Sequence, residues 1–82
     1  MKRYHNKKET KKIGKQIQEL RKKHELSIED VAEMTGFSRS TITGVENGID
    51  TNTSHLIEIA KAIGEHPMEI FNIPFEIGYS KG

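Results

Sequence analysis

Apolar residues along this chain recur at helical spacing almost from its start. Ile13, Ile17, Leu20 and His24 follow one another at steps of four, three and four, which places them on one helical stripe. Asn6-Lys7-Lys8-Glu9 stands before them with the form of a capping box, an N-cap amide followed three positions later by a carboxylate. A first helix is expected over about 8–23, weakened inside by Gly14. Ser27 caps a second helix whose first turn carries Glu29 and Asp30, where the helix dipole favours acids. Its apolar side is Val31, Ala32 and Met34, and Gly36 ends it. Ser38 opens a third helix with Ile42 and Val45 facing inward, closed by Asn47-Gly48. Asn52 caps a fourth, with Leu56, Ile57, Ile59, Ala60 and Ile63 inward and Gly64 at its end. Pro67 suits the first position of a short fifth helix running to about Phe71.

The period then changes. Phe71, Ile73, Phe75, Ile77 and Tyr79 alternate with Asn72, Pro74, Glu76, Gly78 and Ser80, a strand signal that Pro74 restricts to a sheet edge. A lone strand of this length needs a neighbour, which an antiparallel second copy supplies; the alternative is that Phe71 and Phe75 fold back on helices 1 and 5 of their own chain. The chain therefore divides into a basic arm (1–7), an all-α five-helix domain (8–71) and a tail (72–82) expected to act as a dimerisation strand.

With 82 residues there is room for one domain and one modest core. Cysteine is absent, so no disulfide framework or thiolate site exists, which suits a reducing cytoplasm. No apolar run approaches the ~18 residues of a membrane span, and the basic start is not followed by the apolar stretch of a signal peptide. The net charge of +1 conceals a strong polarity. Residues 1–24 hold ten Lys/Arg against two acids, whereas 25–82 hold three against ten. Such a chain can hold a polyanion at one end and stay in solution.

Candidate catalytic chemistry is thin. His5, His24, His55 and His66 lack metal-ligand spacing, Ser38 or Ser54 with His55 forms no nucleophile arrangement, and no glycine-rich phosphate loop is present. No enzyme activity, cofactor or metal is expected.

The informative window runs from Ile28 to Asn47. Two short helices joined by so tight a turn need a small residue on the first (Ala32) and one that accepts positive φ in the turn (Gly36). Phe37, Ile42 and Val45 pack the corner, leaving Arg39, Ser40, Thr43 and Gly44 on the outer face. A second helix of this kind presents its N-terminal part to base edges in the major groove.

From Ile13 to Phe71 the sequence resembles the Cro and phage-repressor (Xre) helix-turn-helix family. The markers are Ile13-Gly14-Lys15-Gln16-Ile17, Leu20-Arg21, Leu26-Ser27, Ala32, Gly36, Ser38-Arg39-Ser40-Thr41-Ile42, Glu46-Asn47-Gly48, Ile59-Ala60-Lys61-Ala62-Ile63-Gly64 and Glu69-Ile70-Phe71. The resemblance implies a lambda-repressor-like fold and base reading by Arg39, Ser40, Thr43 and Gly44. It implies phosphate contacts at Asn47 and at the helix starts marked by Ser27 and Ser38, and a structural ion pair between Arg21 and Glu46. Departures from the family pattern are Ile28 where Gln is common, Glu25 where Gly or Asn is common, and a loop, residues 49–53, that has no basic residue. Lys2, Arg3, Lys7, Lys8 and Lys12 are the expected compensation, reaching the DNA backbone from the basic end.

Together these features imply a sequence-specific transcriptional regulator, a repressor binding duplex DNA as a homodimer on a palindromic operator. The alternative is a protein-interaction module such as an antitoxin, with a toxin as its main partner.

Overall fold

The computed structural model describes residues 7–75, 77 and 78, and all of its regular structure is helical. Four α-helices, α1 (Lys7–Lys23), α2 (Ile28–Thr35), α3 (Arg39–Glu46) and α4 (Thr53–Ile63), precede a 3-10 helix, Pro67–Phe71. Three of them begin at the expected caps. The side chains of Ser27, Ser38 and Asn52 accept the N–H groups of Asp30, Thr41 and His55. At Ser27 the box is complete, because Asp30 Oδ2 in turn accepts the Ser27 N–H at 2.8 Å.

Helices of eight residues are marginal alone, so α2 and α3 depend on tertiary packing. That packing is one cluster: Ile17 and Leu20 of α1, Val31 of α2, Ile42 and Val45 of α3, Leu56, Ile59, Ala60 and Ile63 of α4, and Ile70. Ala32 and Phe37 pack against it, half-buried, as expected for a tight corner.

Gly14 is more than a weak point in α1. A Cβ there would lie 2.4 Å from the Glu46 carbonyl oxygen and 2.6 Å from that of Val45. The missing side chain therefore sets the distance at which α1 meets the end of α3. Glu25 supplies the end of α1 at a φ of 57°, where glycine is more usual. Glu25 N–H donates to Lys22 O and Leu26 N–H to Arg21 O, the two bonds of a Schellman cap.

The tail departs from expectation. The fifth helix is a 3-10 helix, and no strand occurs among the described residues of 72–78. Asn72 takes φ −83° and ψ 69°, and Ile73 N–H donates to Phe71 O at 2.9 Å, an inverse γ-turn that interrupts extended backbone at its first step. Lys12 Nζ then holds Pro74 O at 2.7 Å. Phe71, Phe75 and Ile77 are exposed and Ile73 is half-buried, while Tyr79 lies outside the described residues.

Candidate nucleic-acid interface

The turn between α2 and α3 is tied at several points. Gly36, at φ 80°, donates its N–H to Ala32 O at 2.8 Å. Thr35 Oγ1 donates to Val31 O at 2.8 Å and accepts the Phe37 N–H at 3.1 Å. Phe37 then meets the ring of His55, centroids 4.8 Å apart, which joins the turn to the first turns of α4. Ser38 Oγ lies 3.0 Å from Thr41 Oγ1 and accepts the Thr41 N–H at 3.1 Å.

With Ile42, Val45 and Glu46 buried, α3 exposes Arg39, Ser40 and Thr43 on its other side, with Gly44 half-buried beside them. Asn47 at the helix end is also exposed. Arg39 is not isolated: its Nη2 lies 2.9 Å from Glu29 Oε2 in the first turn of α2.

Behind α3, Arg21 Nε and Nη2 reach the two Glu46 carboxylate oxygens at 2.6 and 3.0 Å, and Nη1 donates to Leu26 O at 2.8 Å. Gln18 adds a longer bond to Glu46 Oε1, at 3.4 Å. Hydrogen bonding to Glu46 raises Arg21 above the ordinary guanidinium pKa, against the opposing effect of burial, with smaller contributions from the charges of Glu46 and Glu29. This pair is far from solvent and ties helices together, away from the exposed face of α3.

The basic residues fall into different places. Lys12 pairs with Glu9 at 3.3 Å and with Pro74 O, on the flank of α1 that meets the tail. Lys11 instead lies against the end of α3. A Cβ at Gly48, whose φ is 76°, would come within 2.9 Å of the Lys11 backbone. Thr10, Lys11, Asn47, Gly48 and Ile49 line the resulting cleft of about 480 Å³. Lys8 is exposed on the same helix, whereas Lys2 and Arg3 and the Lys7 side chain lie outside the described residues.

The base-free loop after α3 is held by its own carboxylate. Asp50 accepts the Asn52 N–H at 3.0 Å and meets His55 Nδ1 at 2.8 Å. Those contacts, the backbone donor first, hold Asp50 below the ordinary carboxylate pKa. His24 and His66 have structural partners too: His24 bonds Glu65 at 2.6 Å, and His66 Nδ1 accepts the Met68 N–H. Periodicity did not single out Glu29 or Lys11, whose significance depends on which elements meet.

A helix-turn-helix family model matches residues 17–70. Among solved structures, the restriction-modification controller protein C.AhdI from Aeromonas hydrophila superposes with a TM-score of 0.68 at 34% identity, covering 73% of this chain and 92% of that one. Antitoxin PezA from Streptococcus pneumoniae is 40% identical over 47 residues, 57% of this chain. The match spans only 30% of that antitoxin's length.

Proposed function

Since the chain belongs to the helix-turn-helix family of Xre/Cro-type DNA-binding regulators, we propose that it acts as a repressor, binding a palindromic operator as a homodimer. The observation that carries this is the exposed face of α3, Arg39, Ser40 and Thr43, presented beside a capped α2 on a closed core. Laid in the major groove, α3 sets Arg39 against a guanine edge, with Ser40 and Thr43 as short hydroxyl donors and acceptors. Gly44 leaves its reading position without a side chain, and a Cβ there would meet Asp50. Phosphate contacts fall to Asn47 and the first turn of α3 beside Ser38, whereas at Ser27 the acids Glu29 and Asp30 in the first turn of α2 disfavour one.

The loop of residues 49–52 contributes no cation, and its Asp50 is committed to Asn52 and His55. The charge is supplied instead by the basic end of the chain: Lys2, Arg3, Lys7 and Lys8, joined by Lys11 beside Asn47. Lys12 is held by Glu9 and Pro74, contacts that compete with a phosphate.

Two recognition helices must sit about one DNA turn apart on a symmetric site, so a surface has to fix two copies. We assign it to the tail, where Phe71, Phe75 and Ile77 are exposed and Ile73 is half-buried, with Tyr79 of the same alternating set outside the described residues. Truncation after Asn72 is expected to abolish the dimer in sedimentation while leaving a folded monomer. A dimer seated on a promoter represses by occupying the site polymerase requires.

The decisive experiment is selection of bound sequences from a random duplex pool at a stated salt concentration. A palindromic consensus is expected, and a pool that stays random would remove sequence-specific regulation. A second function, as an antitoxin, is favoured by the likeness to antitoxin PezA and by exposed Met68, Phe71, Phe75 and Ile77, an apolar surface suited to a protein partner. A neighbouring gene whose product arrests growth, relieved by this chain, would establish it.

A further inference from the structure

Base reading by α3 leaves one nearby charge unused. Glu29 stands in the first turn of α2, and its Oε2 lies 2.9 Å from Arg39 Nη2 across the turn. Both side chains remain largely exposed, Arg39 at 71% and Glu29 at 60%. An exposed pair of this kind adds little to folding stability. The Glu29 charge also reaches the buried Arg21, but as the smallest of the effects there, so its larger consequence is for Arg39 beside it.

Arg39 is the first residue of α3 and the one long cation on that helix. Fixing a long flexible side chain on a base edge costs rotamer entropy, which is smaller if the side chain is already held. The planar guanidinium has five N–H donors. The Glu29 carboxylate lies beside the Nη2 edge as an ion pair, leaving the remaining donors to face guanine N7 and O6. Meanwhile a carboxylate at this end of α2 opposes the approach of phosphates to the same cation. We propose that Glu29 is a specificity-determining positioning residue that holds Arg39 for a base edge and keeps it from serving as a general phosphate clamp. This rests on the assignment of α3 to the major groove.

The two effects have opposite signs on two kinds of DNA, which separates them from any simple charge effect. In the full chain, Glu29→Gln should weaken binding to the selected duplex about three-fold and strengthen binding to random duplex about two-fold, the scale of an exposed ion pair. The specificity ratio then falls about six-fold, with relaxation at the base position that Arg39→Ala also relaxes. In the Arg39→Ala background, Glu29→Gln should no longer alter base preference. Melting curves of Glu29→Gln, and of Glu29→Ala as a second variant, check that the fold is retained. Equal change on both duplexes, or the same change with and without Arg39, overturns the proposal by making Glu29 a general surface charge. If Arg39→Ala itself leaves base preference intact, α3 does not read DNA through Arg39 and both assignments fall.

Discussion

Arg21 and Glu46 face each other in parallel, two guanidinium nitrogens on two carboxylate oxygens, with only 9% and 3% of the side-chain surfaces exposed. Bidentate geometry this far from water joins the last turn of α1 to the last residue of α3. Removing either partner strands the other's charge, so Arg21→Met or Glu46→Gln should each cost about 3–5 kcal/mol. Urea unfolding of both single variants and the double variant checks this. A coupling near zero would show the pair to be inconsequential.

Gly14→Ala is expected to destabilise by about 1–3 kcal/mol, although alanine is the better helix former. The added methyl would meet the carbonyls of Glu46 and Val45, which are backbone and cannot swing away. An unchanged or higher Tm would show that α1 can retreat without cost.

Glu25→Gly should act in the opposite direction, raising stability by about 1 kcal/mol. Glu25 holds a left-handed conformation, φ 57°, that the cap requires and an L side chain resists. A shift of the urea midpoint with an unchanged slope is the expected result.

Lys11→Gln is expected to weaken binding to all duplexes alike and to reduce the slope of log K against log salt by about 0.9, the loss of one phosphate contact. Lys22→Gln, at the far end of the same helix, serves as the control. Titrations at several salt concentrations distinguish them, and identical slopes would remove Lys11 from the interface.

Acid should loosen the loop after α3. Donors from Asn52 and then His55 depress the Asp50 pKa, so its contribution to stability is present above the unfolded aspartate value, about 3.9. It is lost as the pH falls through the lower folded value. Glu65, lowered chiefly by its bond to His24, follows the same sign. Asp50→Asn should be less stable at neutral pH and should lose less between pH ~4 and ~2, measured by denaturant unfolding.

Much of this was legible in the sequence because it is local. Ser27, Ser38 and Asn52 announce helix starts by a side chain that reaches three residues along its own chain. The α2–α3 turn was legible from Ala32 and Gly36, and the Arg21–Glu46 pair followed from the family resemblance. Contacts between distant elements were not legible. Gly14 looked like a defect because periodicity describes one helix and cannot show the carbonyls of another against it. Glu29 looked like a dipole partner, and Arg39 across the turn was invisible at that level. Lys12 was grouped with the arm by charge alone, whereas its position on α1 turns it to Glu9 and Pro74. The alternating tail gave a strand signal, yet a single turn at Asn72 redirects its backbone.

The contacts at Gly14 and Gly48 have a consequence for how α3 tolerates change. Both are seams between main chains, Gly14 against the carbonyls of Val45 and Glu46, and Gly48 against the backbone of Lys11. The helix is thus gripped from its rear by parts that every amino acid shares, and its outward letters bear none of that grip. On the proposed base reading, exchanging Ser40 or Thr43 should change which base edges are met while the docking of the helix stays the same. If α3 reads DNA as proposed, the scaffold and its text are separable, and single substitutions should reach new sites without refitting the core.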